Sequence, residues 1–350
     1  MNENMDRSGA DRNYLIDIFR LFFSIQIVII HTAPFKDIHG VVFNAIVSLL
    51  SQTAVPFFFF VSAYFYLNKI QESSNFSSRY KKKLLITYLL WSFIYFGAGF
   101  LLLVYHNSGM TEYLSYIKEL ILAFFTTGSS FQLWYLVALI YCVIITAFFQ
   151  QKQKMNIFCN ISIVLFSLYM ISNHIPFGKN ILFVTESSKI LSAFYALLVN
   201  LIRAMMYFTV TYYFIKYEKV ILHISKIKIL LAFICSVSIY VIYYYINQGV
   251  DPVREIFPFL RVVLLVILMI WILLIPHKKN SRHWGFFSGA AAFSYYAHPL
   301  IAMAWDILLF SILKISISNL LRFILTLTTC ILTAYILYKW NNRYLNKLFK

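Results

Sequence analysis

Two ionisable side chains mark the ends of a strongly apolar run near the start of the chain. The run "RLFFSIQIVIIH" begins with Arg20 and ends with His31. At the centre of a bilayer a charged side chain costs about 2.5 to 3.5 kcal/mol, so such residues are rare and usually functional. Histidine is suited to taking a proton near neutral pH, and arginine is suited to binding phosphate or carboxylate. The pair therefore indicates proton transfer beside an anion-binding group.

Four polar residues share one edge of the helix that this run predicts. At about 100 degrees per residue, Asp17, Arg20, Ser24 and His31 fall within a stripe roughly 60 degrees wide. The spacing lets Asp17 pair with Arg20. A rise of about 1.5 Å per residue separates Arg20 from His31 by roughly 16 Å, so the two cannot both contact one reacting atom. They mark either two depths of one polar path, with Arg20 nearer the cytoplasm, or an orienting ion pair with an interfacial histidine.

The composition shows which class of element must position these residues. The 350-residue chain is 61% hydrophobic and 12% charged, with a mean hydropathy of +0.74. Soluble domains usually carry about 25% charged residues. The composition therefore predicts an all-α, polytopic integral membrane protein and excludes a soluble enzyme with a large core.

Ten apolar segments approach the length of about 20 residues that a transmembrane helix needs. They cover residues 14–33, 41–67, 84–105, 132–150, 157–173, 190–215, 227–246, 256–276, 286–310 and 316–339. Residues 114–125 are too short and too charged to span, and predict an interfacial or re-entrant helix.

The basic residues give the topology. With both termini cytoplasmic, twenty Lys and Arg fall in cytoplasmic segments and six in outer segments, as the positive-inside rule requires for an even number of spans. We expect one membrane domain over 1–350, with a short cytoplasmic N-terminus at 1–12 and a basic cytoplasmic tail at 340–350. Topology accounts for the net charge of +17 without nucleic acid as a partner. No cleavable signal peptide is expected.

The arginines in the predicted spans and the four cysteines are the other residues that could bind a ligand. Arg203, Arg261 and Arg322 fall within or beside predicted spans, where they either snorkel to an interface or make polar contacts. The four cysteines form no CxxC pair and have no neighbouring histidine at metal-ligand spacing. We therefore expect neither a disulfide framework nor a metal site.

Four pieces of sequence together resemble the acyltransferase family 3 membrane proteins. "NYLIDIFRLFFSIQIVIIHTAPF" is similar to the first helix of that family, with its R-x10-H motif. "AVPFFFFVSAYFY" at 54–66 resembles its second helix, "FQLWYLVALIY" at 131–141 its "LW(Y/F)L" helix, and "FSYYAHPL" at 293–300 its "Y-x-x-H-P" segment. The pieces occur in the family's order, and the resemblance covers residues 12–340.

The sequence departs from the family pattern at two places. The usual "SGY" is Ser62-Ala63-Tyr64, which reduces the backbone freedom that glycine would give. The arginine pair often found before the third helix is "RYKKK", so Arg79 is followed by lysines at 81–83. A second arginine could bind a phosphate through two parallel hydrogen bonds, whereas each lysine offers a single point charge.

The resemblance implies transfer of an acyl group, usually acetyl, from cytoplasmic acyl-CoA (acetyl-CoA) to a hydroxyl of an extracytoplasmic envelope glycan or lipid-linked sugar in a bacterial cell membrane. In that reaction His31 would be the general base or a transient acyl carrier. Arg20 would guide the donor, and Asp17 would hold Arg20. No metal is implied.

The other candidate residues fall into three groups. Donor binding is assigned to Arg79, Lys82, Lys83, Trp134 and Tyr135. Further pocket candidates are Ser24, Ser62, Tyr64, His298 and Asp306. Outer-loop residues that could meet the acceptor are His39, His106, Asp251 and Glu255. For many of these a structural role is an open alternative: topogenic charge for the basic run, a belt position for the aromatics, and a packed histidine at a proline kink for His298.

One subgroup of the family suggests a different function. "IHTAP" and "VPFFF" are similar to the membrane domain of vancomycin-resistance serine racemases, which implies transport of a small polar solute such as L-serine as the alternative. We expect no racemase activity, because no soluble racemase domain follows the spans in these residues. A scaffold or sensor would leave Arg20 and His31 unexplained. The identity of the acceptor and the oligomeric state stay open.

Overall fold

The chain is described by a computed structural model that covers residues 13–72, 75–174, 188–246, 258–275 and 284–340. Its helices are α1 Tyr14–Thr32, α2 Val41–Glu72, α3 Phe76–Tyr105, α4 Met110–Phe125, α5 Trp134–Gln151, α6 Met155–His174, α7 Lys189–Lys216, α8 Glu218–Ile221, α9 Lys226–Ile246, α10 Pro258–Leu274, α11 Trp284–Asp306 and α12 Asn319–Trp340. A 3₁₀ turn, Phe131–Leu133, precedes α5, and a π-helical turn, Ile307–Ile312, follows α11. The predicted tail beyond Trp340, the terminus at 1–12, Asp251 and Glu255 lie outside the described residues.

The all-α, polytopic architecture is confirmed. Within the described ranges, nine helices are long and apolar enough to cross a membrane, and α10 adds a shorter apolar helix over Leu260–Leu274. Each of the ten predicted segments corresponds to one of these helices. The short segment predicted at 114–125 lies within α4.

α3 differs most in extent from its prediction. α3 begins at Phe76 rather than at residue 84, so the basic run of residues 79–83 lies on its first turns. Hydropathy detects only the part of a helix that crosses the apolar layer. Arginine and lysine are good helix formers, so the helix extends past that layer into polar surroundings.

The described helices form two compact units. The first contains α1, the start of α2 up to Ala54, α9, the end of α10 from Val263, α11 and α12. In it α1 packs against α11 and α12, and α11 also packs against α12. α11 carries several buried small residues, including Ala290, Ala291 and Ala297. Small residues let transmembrane helices approach closely, so α1 and α11 can lie side by side.

The second unit contains the rest of α2, α3 to α7 and the start of α10. α5 packs against α3, α6 and α7. Its core is aromatic: Phe60 and Phe214 contact edge to face at 5.4 Å between ring centroids, and Phe59 stacks on Tyr207 at 6.2 Å. This unit carries the donor-binding candidates of α3 and α5 and the pocket candidates of α2.

Candidate functional site

Capping contacts define where α1, which carries the polar edge, begins and ends. At its start the Asn13 side chain accepts a hydrogen bond from the Leu15 N–H at 3.0 Å, an N-cap that satisfies a first-turn donor. At its end Ala33 has φ 45°, in the left-handed region, and its N–H bonds the Ile29 carbonyl. Pro34 follows and cannot continue the helix. His31 therefore lies in the last turn, where the helix dipole favours positive charge.

The predicted ion pair on this edge is present. Arg20 Nη1 lies 3.5 Å from Asp17 Oδ1, and it also donates to the hydroxyl of Ser288 on α11 at 3.1 Å. Asp17 is buried and Arg20 is half-buried. The guanidinium is thus held by a buried carboxylate of its own helix and by a hydroxyl of α11.

Ser24 lies on the same edge but is engaged locally. Its side chain is buried, and its Oγ donates to the Leu21 carbonyl at 2.8 Å. Gln26 lies on another face of α1 and is also buried, and its side-chain oxygen accepts a hydrogen bond from Ser51 Oγ at 3.4 Å. The Ser24 proton is therefore committed to the helix backbone, which fits a lining role rather than a nucleophilic one.

The second ionisable group of the edge meets another histidine. The rings of His31 and His298 stack with centroids 5.2 Å apart and planes inclined by 23°. His298 on α11 is fully buried, whereas His31 is exposed. The structure thus brings together two residues that the sequence analysis assigned separately, one as catalytic and one as a pocket candidate.

His298 is held by backbone carbonyls that its own helix supplies. Its Nδ1 lies 2.9 Å from the Ser294 oxygen and 2.9 Å from the Tyr295 oxygen. Pro299 has no N–H, so it cannot make the helical bond to Tyr295, the residue four positions earlier. The carbonyl that the proline leaves vacant is the one that His298 contacts, and α11 continues through the proline to Asp306.

Asp306, the other pocket candidate on α11, has a different partner. Its carboxylate accepts a hydrogen bond from Arg322 Nη2 on α12 at 2.5 Å. The side chains are 42% and 30% exposed, so this ion pair lies near the surface of the first unit. The indole of neighbouring Trp305 donates to Thr329 on α12 at 3.1 Å. These contacts fasten the end of α11 to α12.

Two donor candidates, Trp134 and Tyr135, and two pocket candidates, Ser62 and Tyr64, lie in the second unit. Ser62 Oγ and Tyr135 Oη are hydrogen-bonded at 2.9 Å, and Tyr135 also donates to the Phe58 carbonyl at 3.2 Å. Trp134 contacts Phe59 at 6.0 Å between centroids. Tyr64 packs edge to face on Phe214 at 6.3 Å. The structure thus brings Ser62 and Tyr135 together, and the Tyr135 side chain is buried with its hydroxyl engaged.

The basic candidates share one face of α3. Lys82 lies three positions after Arg79 and Lys83 lies four positions after it, a spacing that aligns side chains on a helix. All three side chains are exposed.

Ala63 stands where the family's usual "SGY" has glycine. It is fully buried inside α2, where alanine supports a helix better than glycine does. The outer-loop candidates His39 and His106 are exposed.

Ser288 contacts Arg20 but was not predicted as a site residue, and the partners of the arginines in the spans do not follow from the sequence. Ser288 precedes His298 by nearly the same number of residues as Arg20 precedes His31. This similar spacing is the sequence feature that could have pointed to Ser288.

Arg203 donates a hydrogen bond to Tyr169 Oη, and its guanidinium lies 5.3 Å from the centroid of that ring. In the described ranges no group of three or more His, Cys, Asp or Glu side chains could hold a metal ion.

Comparisons with known proteins agree with the motif order. A family model described as "Acyltransferase domain" matches residues 13–339. A curated protein described as "Amino-acid racemase", from Enterococcus faecalis, is 29% identical over 175 residues, 46% of this chain. The chain spans about a quarter of that relative's length, since the match covers 24% of it. No solved structure matches the chain.

Proposed function

Since this chain belongs to the acyltransferase family 3 of membrane proteins, we propose that it moves an acetyl group from cytoplasmic acetyl-CoA to a hydroxyl of an extracytoplasmic envelope glycan or lipid-linked sugar. The chain is a multi-pass membrane acyltransferase; the donor, the acyl group and the acceptor are the proposal. The observation that supports it is the polar edge of α1, with His31 stacked on His298 and Arg20 held by Asp17 and Ser288.

The chemistry assigned to His31 is general-base catalysis. A neutral imidazole removes the proton from the acceptor hydroxyl as its oxygen bonds to the thioester carbonyl carbon. The carbon–sulfur bond then breaks, and the proton passes from His31 to the departing thiolate. An ester and coenzyme A result, so atoms and charge balance. The helix dipole at the end of α1 favours the imidazolium formed between these steps.

Arg20 has a supporting part in this scheme. It lies about 16 Å along the helix from His31, too far to act on the same carbonyl. A rigid guanidinium suits anionic or carbonyl oxygens, and Asp17 and Ser288 fix its position. We assign to Arg20 the guiding of the donor.

The exposed basic face of α3 is the proposed surface for the donor's phosphates. Arg79, Lys82 and Lys83 present three positive charges together, and phosphate groups pair well with such charges. Topogenic charge accounts for basic residues at this side of a membrane without a ligand. The pair Lys226 and Lys228 at the start of α9 is therefore the matched control for this surface.

Membrane vesicles that expose the cytoplasmic face test the proposal. Radiolabelled acetyl-CoA is added outside, and label in glycan or lipid-linked sugar inside the vesicles is measured. We expect His31→Ala to lower transfer by about 100-fold or more, since a positioned base contributes 10²–10⁴. His223→Ala is the matched control, an exposed histidine to which no role in the reaction is assigned, and should transfer label normally.

Two results would contradict the proposal. The first is full transfer by a membrane-inserted His31→Ala variant. The second is uptake of labelled serine by the same vesicles without dependence on acetyl-CoA, which would revive the transport alternative. Family membership does not favour that alternative. Mass spectrometry of envelope glycans from cells with and without the protein identifies the acceptor by its lost acetyl increment.

A further inference from the structure

The contacts of His298 fix which of its ring nitrogens carries the proton. Nδ1 lies 2.9 Å from two backbone carbonyl oxygens, and a carbonyl oxygen can only accept a hydrogen bond. Nδ1 must therefore be the donor. In a neutral ring with its proton on Nδ1, Nε2 presents a lone pair and is an acceptor.

That acceptor is buried and has no hydrogen-bond partner in the described part of the chain. A buried acceptor without a partner costs free energy, so native structures usually give one an explanation. Here the buried ring stacks on His31, the residue assigned to take a proton. A proton on His31 would supply the donor that Nε2 lacks.

The distance between the two rings suits such a bond. Two imidazoles joined by an N–H···N bond of about 2.9 Å have centroids about 5 Å apart. The centroids of His31 and His298 are 5.2 Å apart. The two rings therefore already have the separation of a hydrogen-bonded pair, and only their relative orientation differs from that of such a pair. His31 is exposed and His298 is buried, so the change of orientation is assigned to His31.

We propose that His298 is a positioning residue for His31: once His31 has taken a proton, its ring turns and donates a hydrogen bond to Nε2 of His298. The Tyr295 carbonyl, left vacant by Pro299, keeps His298 in the tautomer that can accept this bond. The proton stays on His31 until it passes to the thiolate. This inference rests on the proposed function, because it concerns the protonated intermediate of that reaction.

Two substitutions of His298 distinguish the effect of its Nε2 atom from the effect of its flat ring. His298→Phe keeps a flat ring against His31 and removes Nε2, while His298→Gln supplies an amide oxygen near the Nε2 position. Release of coenzyme A from acetyl-CoA is measured with purified protein in liposomes that contain envelope glycan lipids. We expect His298→Phe to lower kcat by about 10- to 100-fold with KM for acetyl-CoA unchanged, and His298→Gln to recover part of that loss. Wild-type kcat for His298→Phe, or equal losses for both variants, would overturn the inference.

A second measurement does not depend on activity. The protein labelled with ¹⁵N-histidine is examined by NMR in micelles, and the His298 signals are assigned by their loss in His298→Gln. We expect the proton on Nδ1 of His298; a proton on Nε2 would overturn the inference even if the variants behaved as expected. If wild-type protein released no coenzyme A, the proposed function would fail, while the spectrum would still report the tautomer.

Discussion

Arg20 on α1 donates to Ser288 on α11 at 3.1 Å, and further along both helices His31 stacks on His298. Because the contacts join residues in the same order along the two helices, α1 and α11 run parallel. The first and the ninth of ten successive spans must point the same way across a membrane. The packing of α1 on α11 therefore agrees with ten crossings, the shorter α10 included, independently of hydropathy.

Arg20→Lys should reduce acyl transfer although it preserves the charge. Lysine presents a single ammonium group on a flexible stem, so it cannot keep the geometry that joins Asp17 and Ser288. Hydrogen bonds to charged groups contribute about 1.5–3 kcal/mol, which corresponds to roughly 10- to 100-fold in kcat/KM for acetyl-CoA. Steady-state transfer in membrane vesicles measures the loss.

Ser288→Ala is the matched control for Arg20→Lys. It removes one contact and leaves the guanidinium and Asp17 in place, so the loss should be smaller than that of Arg20→Lys. Wild-type kcat/KM in Arg20→Lys would show that the fixed guanidinium has no part in the reaction.

The amino-acid sequence predicts the spans well because hydropathy and charge report depth in the membrane. Each of the ten segments corresponds to a helix in the described part of the chain, and the Asp17–Arg20 pair follows from spacing within one helix. Hydropathy does not report which spans are neighbours. The pairing of α1 with α11 depends on the small residues of α11 and on side-chain shape, so the contact between His31 and His298 was not predictable from spacing.

Backbone detail also lies beyond sequence patterns. Pro299 predicts a vacant carbonyl inside α11, but the sequence leaves open whether water, a cavity or a side chain takes it. The structure gives it to His298. In the same way, Asp306 follows His298 at helical spacing, yet its carboxylate pairs with Arg322 of α12, a partner that only the packing of the two helices specifies.

Neutralising Lys82 and Lys83 together with glutamine should raise KM for acetyl-CoA by about three- to tenfold with kcat unchanged, since exposed charge pairs contribute up to about 1 kcal/mol each. Both lysines lie on the exposed basic face of α3. High salt should diminish the difference because it screens exposed charges. The matched control is the pair Lys226 and Lys228 at the start of α9. An equal rise in KM from that pair would mean a nonspecific charge effect.

The Asp306–Arg322 pair should prove structural rather than catalytic. Asp306→Asn and Arg322→Gln should each change acetyl transfer by less than about twofold, because the pair is partly exposed and fastens α11 to α12. In a double-mutant cycle on thermal unfolding, the coupling energy should be about 1 kcal/mol or less, as for other exposed pairs. A large loss of kcat in Asp306→Asn alone would instead place this carboxylate in the reaction.

Pro299→Ala should lower acyl transfer without destabilising the protein. Alanine restores an N–H that bonds the Tyr295 carbonyl, which then competes with Nδ1 of His298 for the same oxygen. A helix-interior proline costs about 3 kcal/mol relative to alanine, so the melting temperature should stay level or rise. The expected loss in kcat is several-fold, about the effect of one neutral hydrogen bond of 0.5–1.5 kcal/mol.

Pro56→Ala distinguishes a specific effect of Pro299 from a general effect of helix repair. Pro56 also lies inside a helix, α2, so its replacement removes the same kind of backbone break. The two variants should gain similar thermal stability, but Pro56→Ala should keep its kcat, because it lies on another helix and leaves the contact of His298 with the Tyr295 carbonyl unchanged. If Pro299→Ala kept full activity and the ¹⁵N signature of His298 stayed unchanged, the vacant carbonyl would have no part in fixing the tautomer. Nδ1 would then be held by the Ser294 carbonyl alone.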